Sequence, residues 1–173
     1  MDVFLTLLQA LWFVWPAYCA NAFPAVLNGK RPLDRGRYFG KSRLLGDSKT
    51  IEGTIGGILF GMLMGIIQMN VQDYLPQELG LLRMSAPLVA LLSIGALVGD
   101  IVGSFIKRRL NIKPGDPAIL LDQLGFLIFA FIFAAAVYIP APSIIFLLII
   151  ITPIIHLLTN VVGYILKFKK NPW

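Results

Sequence analysis

Residues 86–109 read Ala-Pro-Leu-Val-Ala-Leu-Leu-Ser-Ile-Gly-Ala-Leu-Val-Gly-Asp-Ile-Val-Gly-Ser-Phe-Ile-Lys-Arg-Arg. From Ala86 to Ile106 this is an apolar run long enough to cross the hydrocarbon core of a bilayer, and three consecutive cations close it. The charge inside it, Asp100, is a carboxylate that costs about 2.5–3.5 kcal/mol to place at the centre of a membrane helix. One stretch therefore predicts both a fold class, helices in lipid, and a place where chemistry is concentrated.

On either side lie four more apolar stretches of similar length, Val3–Ala20, Thr54–Val71, Ala118–Ile139 and Ser143–Leu166. Together they predict an all-α integral membrane protein, a bundle of five transmembrane helices forming a single membrane domain over 1–173. A composition of 57% hydrophobic residues and a mean hydropathy of +0.79 exclude an ordinary soluble domain. The first stretch lacks a basic leader and runs into Asn21 instead of a small-residue cleavage site, so it is expected to be retained as a span. Cys19 is the one cysteine; it can form no intrachain disulfide and is expected to be an inert packing residue.

The connections are a long polar loop (21–53), a shorter one (72–85), a second charged loop (107–117) and the turn Pro140-Ala141-Pro142. Lys30, Arg31, Arg35, Arg37, Lys41, Arg43 and Lys49 fall in the first loop, Lys107, Arg108, Arg109 and Lys113 in the third, and Lys167, Lys169 and Lys170 in the tail. Alternating spans put all of these on one side and Arg83 on the other. The positive-inside rule makes the basic side cytoplasmic, with the N-terminus outside, in a multi-pass protein of the cell membrane. The net charge of +6 thus reads as an orientation signal, and no nucleic-acid partner is expected.

Glycine recurs at every fourth position in two spans, as Gly53, Gly57, Gly61 and Gly65, and as Gly95, Gly99 and Gly103. Such stripes let helix backbones approach closely; they also could leave room for a lipid chain. Either way, the second and third spans are expected to be neighbours.

Asp100, Ser104, Lys107 and Arg108 share one side of the third span at helical spacings, descending towards the basic loop. Asp122 opens the next span, so a short hairpin can bring Asp100 and Asp122 face to face. Two such carboxylates suit Mg²⁺, which completes its shell with water and substrate phosphates. The alternative is that Asp100 is ion-paired with Lys107, Arg108 or Lys49. Asp116 reads as a turn residue or helix cap, with metal ligation the lesser possibility. The segment Gly46–Gly53 lacks the spacing of a phosphate-binding P-loop. Lys49, Ser48 and Thr50 nevertheless sit at a predicted helix N-terminus, which favours a phosphate; a solvated loop meeting anionic headgroups is the other reading. Asn21 and Asn28 flank Pro24 and can cap the chain or bind a ligand. His156, Thr159 and Asn160 mark one side of the fifth span, and a lone histidine there is expected to be satisfied by neighbouring helices. No Ser-His-Asp arrangement, metal-binding histidine cluster or dinucleotide fingerprint is present, which narrows the choice to phosphate chemistry or transport.

The segment Gly99-Asp100-Ile101-Val102-Gly103-Ser104-Phe105-Ile106-Lys107-Arg108-Arg109, continuing to Lys113, Asp116, Asp122 and Gln123, resembles the C-terminal signature of the membrane CTP:phosphatidate cytidylyltransferases. That signature runs Ser-x-x-Lys-Arg, four residues, Lys-Asp, and after a Gly-rich turn Asp-Arg. The chain departs from it in a missing His-Gly-Gly element, a shorter hairpin, a Lys-Asp pair split by Pro114-Gly115, and Gln123 in place of Arg. With Pro16–Pro24 and Gly46–Gly53, the short five-span chain resembles the archaeal branch, the CDP-archaeol synthases.

The resemblance implies that Asp100 and Asp122 bind Mg²⁺, and that Ser104, Lys107 and Arg108 hold nucleotide phosphates. It implies further that Asn21, Asp47, Lys49 and Thr50 belong to the CTP site, with Lys49 and Lys107 catalytic beside the two aspartates. The implied reaction is attack of a lipid phosphate, of the 2,3-bis-O-geranylgeranylglycerol 1-phosphate type, on the α-phosphorus of CTP. Its tails are expected to enter from membrane lipid beside the glycine-lined spans. The rival reading, a small transporter or channel for phosphorylated solutes, calls for polar residues through the whole membrane depth.

Overall fold

The computed structural model describes residues 3–27, 29–113, 116–118 and 120–168. Asn28, Pro114, Gly115, Lys169 and Lys170, all invoked above, lie outside the described residues. Six helices follow one another: α1 (Val3–Ala22), α2 (Pro24–Leu27), α3 (Ile51–Val71), α4 (Ala86–Arg109), α5 (Leu121–Ala134) and α6 (Pro142–Ile165). Between α2 and α3 a hairpin of two short strands, β1 (Tyr38–Phe39) and β2 (Ser42–Arg43), is a local departure from the all-helical expectation.

Four of the five expected spans are helices long and apolar enough to cross a membrane. The fourth expected span is shorter than anticipated: α5 has 14 residues, about 21 Å of helix, where the sequence predicted a start at Ala118 and an end at Ile139. Its start is delayed by Leu120, which sits at φ +69° and cannot be helical. It ends at Ala134, after which residues 135–137 form turns whose N–H groups donate to the carbonyls of Phe131, Phe133 and Ala134.

The glycine stripes explain how the helices assemble. A side chain at Gly61 would meet the Pro16 carbonyl, Ala20 and Ser93, and one at Gly65 would meet Val89, so the α3 stripe seats that helix against both α1 and α4. The α4 stripe faces elsewhere. Gly95 and Gly99 lie against the backbone of Phe129, Ala130, Gly125 and Phe126, making α4 and α5 an antiparallel, close-packed pair. The second and third spans are neighbours as expected. Their stripes do not face each other, and the space beside them is filled by helix, leaving no room there for a lipid chain.

Pro16 has no N–H, so the Trp12 carbonyl one turn earlier in α1 lacks its helical partner. The buried Gln68 of α3 supplies it, its Nε2 donating to the Trp12 oxygen at 2.9 Å. At the other end of α1, Gln9 and Trp12 donate to the carbonyls of Leu79 and Leu82 at 3.0 and 2.9 Å. The N-terminal half of α1 therefore shares an end of the bundle with the 72–85 connection, and both strongly basic loops lie at the opposite end.

A methyl group at Gly99 would fall 2.5 Å from the Gly125 carbonyl oxygen, whereas at Gly103 the nearest atom is 3.8 Å away. Gly99→Ala should lower the thermal midpoint in detergent, at a cost of about 1–3 kcal/mol from overpacking. Gly103→Ala should leave it within experimental error. Equal effects would disprove the close α4–α5 packing.

Candidate active site

Lys49 is aimed by the backbone on either side of it. Leu33 N–H donates to the Lys49 carbonyl at 2.7 Å and Ile51 N–H to the Arg31 carbonyl at 2.9 Å, pinning the entry to α3 against residues 31–33. Thr50 then caps α3, its hydroxyl accepting from the Gly53 N–H at 3.1 Å. Held this way, the Lys49 ammonium reaches α4 and donates to both Asp100 oxygens at 2.7 and 2.6 Å. Of the three cations offered as partners of Asp100, the loop lysine is the one used.

Lys107, about two turns further along the same side of α4, turns to α5 instead. It donates to both oxygens of Asp122 at 3.0 and 2.8 Å, and Asp122 also accepts the Ala118 N–H at 2.8 Å, which closes the turn into α5. The Gly99–Gly125 and Gly103–Leu121 contacts fix the register so that Asp100 and Asp122 lie within about one helical turn of each other along α4 and α5. Arg108 is buried beside Lys107, and its Nε and one terminal nitrogen have no hydrogen-bond partner among the described residues. Ser104 is buried on the same stripe. Asp116 behaves as a turn residue, its N–H donating to the Lys113 carbonyl at 3.1 Å.

This arrangement puts Lys49, Asp100, Ser104, Lys107, Arg108 and Asp122 at one end of α4. Other expected site residues stand apart. Thr50 spends its hydroxyl on the cap, and Asp47 is exposed and paired with Arg43 at 2.9 Å. Asn21 lines a different feature, a mostly apolar cleft of about 400 Å³ between α1 and α6 whose wall includes Tyr18, Phe126, His156 and Asn160. There the Asn160 amide lies 3.2 Å from His156 Nδ1. Tyr18 donates to the Thr152 hydroxyl at 2.6 Å, since that hydroxyl already donates to the Leu148 carbonyl.

Two features escaped the sequence reading. Asp34 is the buried hub of the first loop, accepting from the N–H groups of Gly36, Leu45 and Gly46 and from the Arg43 guanidinium. The Arg43 hydrogen bonds, and then the three backbone donors, hold its carboxyl well below the usual carboxylate range against the opposing effect of burial. The spacing Asp34-x-Gly36 was the available signal, because an aspartate commonly accepts the N–H two residues on in a turn. The second is Arg109, whose guanidinium sits 5.0 Å from the Phe39 ring centre and 4.7 Å from that of Phe105 and donates to the Arg43 carbonyl at 2.7 Å.

As to a metal, no three His, Cys, Asp or Glu side chains gather among the described residues. Asp100 and Asp122 are hard oxygen donors at neighbouring depth, each neutralised by one flexible lysine. That donor set fits Mg²⁺ only if the remaining ligands come from water and substrate phosphates.

Because the folded-state acidity of Asp34 is raised, its contribution is complete above the ordinary carboxylate pKa of about 4 and is lost as pH falls towards the depressed value. Protection of the Gly36, Leu45 and Gly46 amides, corrected for intrinsic exchange, should therefore stay flat from about pH 8 to pH 5. Asp34→Ala should remove about 3 kcal/mol of that local protection, and unchanged exchange in this variant would rule out the carboxylate as the hub.

The family model described as "CarS-like: CDP-archaeol synthase" matches residues 3–173. The CDP-archaeol synthase of Pyrococcus furiosus is 46% identical over 168 residues, covering 96% of this chain and 98% of that one. That of Methanococcus maripaludis is 44% identical over 182 residues and covers both chains completely. A solved structure of an intramembrane enzyme for archaeal membrane lipids biosynthesis superposes with a TM-score of 0.78 at 37% identity, over 89% of this chain and 94% of that one. With its signature residues gathered at one end of α4 and its whole length matched, the chain belongs to the CDP-archaeol synthase family.

Proposed function

We propose that the lysine-bridged aspartates at the end of α4 are the nucleotidyl-transfer centre of this membrane lipid enzyme. The protein is a CTP-dependent transferase of archaeal lipid biosynthesis, which the family match favours over transport. The observation that carries the site assignment is the pairing of Lys49 with Asp100 and Lys107 with Asp122, beside a buried Arg108 with unused donors. Before substrate arrives each carboxylate is matched by one ammonium, and Arg108 adds a further positive charge beside them. When CTP enters, its triphosphate offers the two lysines and Arg108 better anionic partners, and the carboxylates are released.

An oxygen of the lipid phosphate attacks the α-phosphorus of CTP; the bond to the β-phosphate oxygen breaks, giving a CDP-lipid and pyrophosphate. The attacking phosphate is already ionised, so no general base is required. Lys49, Lys107 and Arg108 orient the triphosphate and neutralise charge that spreads onto its oxygens in the transition state. Mg²⁺ held by Asp100 and Asp122 would supply Lewis-acid neutralisation of the same oxygens. Placing the basic end in the cytoplasm gives it access to CTP and follows the positive-inside rule. The isoprenoid chain of the lipid phosphate is assigned to the cleft between α1 and α6, because the glycine stripes are filled and this apolar channel opens beside Phe126, one turn from Asp122.

Asp100→Asn and Asp122→Asn should each lower CMP transfer from labelled CTP to an isoprenoid-ether glycerol phosphate by at least about a hundredfold. Both variants should elute as folded protein in detergent. Near-normal turnover in either would remove the metal assignment. A bulky residue in the cleft, Gly163→Phe, should raise KM for the lipid while leaving KM for CTP unchanged. An unchanged lipid KM would move the chain site elsewhere.

A further inference from the structure

The hairpin in the first loop carries a pattern that the transfer reaction does not use. Every residue from Arg35 to Lys41 is exposed. Arg35, Arg37 and Lys41 form no ion pair with any described residue, and no acidic residue occurs between 35 and 46. Two aromatic rings stand among these cations, Tyr38 at 66% and Phe39 at 62% exposure. Gly40, at φ +64°, makes the tight connection between β1 and β2 that brings the cations and rings together at one tip.

The depth of this tip is fixed by contact with a membrane helix. Phe39 packs edge-on to Phe105, with ring centres 6.3 Å apart, and Phe105 lies in the last turn of the apolar run of α4. The Arg109 guanidinium lies between the two rings and binds the β2 backbone, so the hairpin is clamped onto the end of the span. Next to the clamp, Ile106 and Leu110 present exposed apolar side chains. Aromatic rings, aliphatic side chains and unpaired cations at one level make the composition expected where hydrocarbon meets headgroups. The charges that converge on Asp100 and Asp122 come from other positions, Lys49, Lys107 and Arg108, so the hairpin cations are not needed to balance that centre.

We propose that the 35–41 hairpin docks on the membrane surface and takes anionic lipid headgroups as its partner. Arg35, Arg37 and Lys41 meet lipid phosphates, while Tyr38 and Phe39 settle at headgroup level beside Ile106 and Leu110. The same hairpin is tied through Arg43 and Asp34 to residues 31–33, which hold the backbone of Lys49, so membrane charge bears on the segment that presents a lysine to Asp100.

The test uses the full chain, with Cys19→Ala and a fluorophore on Tyr38→Cys, in nanodiscs of phosphatidylcholine with or without phosphatidylglycerol. Lipids carrying a quencher at headgroup depth report contact. Each cation near an anionic surface favours contact by about fivefold, so quenching should rise clearly, by about twofold or more, when phosphatidylglycerol is present. It should fall back at about 1 M salt. Arg35→Gln, Arg37→Gln and Lys41→Gln combined should abolish the rise; all three residues are exposed and none is ion-paired with a described residue, so the fold should stay intact. Quenching that ignores phosphatidylglycerol, or a rise that survives the triple substitution, would overturn the proposal. So would a triple variant that binds CTP several-fold more weakly with its quenching unchanged, because the cations would then serve the nucleotide.

Discussion

The rest of the site depends on the ion pair between Lys49 and Asp100, two residues 51 positions apart in the chain. A carboxylate within a membrane span is tolerated only with a partner, and here the partner comes from a loop instead of from the same helix. That single requirement draws the first basic loop down onto α4 and sets the height at which α3 begins. It also leaves Lys107 free to turn to Asp122 and anchor the start of α5. Neither pair is a strong stabiliser in isolation, since desolvation offsets most of the Coulombic attraction between half-buried groups. Their effect is positional: two lysines and two carboxylates are held on one level by three separate segments.

Much of this was legible in the residues. The apolar run ending in Lys107-Arg108-Arg109, the anomalous Asp100 and the sharing of one side by the basic loops were enough to place the candidate site residues at one end of a helical bundle. The pairing was not legible, because Asp100 has three cations within plausible reach and only the backbone course of residues 31–33 decides among them. The glycine stripes were read correctly as packing surfaces and the second and third spans as neighbours, but α5 as the partner of the α4 stripe was not legible. A stripe of small residues says that something approaches closely without saying which helix, and the short turn into α5 brings that helix there first. Thr50 and Asp47 illustrate a related difficulty. A hydroxyl or carboxylate near a phosphate-friendly helix start can equally well serve the loop's own backbone and side chains, as both do here.

The first loop is the part of the chain least visible from periodicity and most dependent on one residue. Asp34 gathers three backbone N–H groups and a guanidinium, and in turn Arg43, whose own proton affinity is raised chiefly by its hydrogen bonds to Asp34, reaches Arg109 through its carbonyl. A polar segment with no core of its own is thereby given a fixed shape beside the bilayer. The mostly apolar cleft between α1 and α6 is the complementary case. Its wall mixes apolar side chains with Asn21, His156, Thr159 and Asn160, polar residues visible in the sequence, and Tyr18 ties α1 to α6 at Thr152.

The bond from Gln68 to the Trp12 carbonyl bears on the order in which this chain can enter a bilayer. A helix containing Pro16 emerges first, with one backbone oxygen that nothing in its own turn can satisfy. Until α3 follows and offers its amide, that oxygen must face water, headgroups or the wall of the insertion machinery. The first helix is thus incomplete as a solitary lipid-embedded segment and becomes comfortable in hydrocarbon only as half of a pair. A single glutamine, buried three residues before the end of α3, completes the backbone of the first helix.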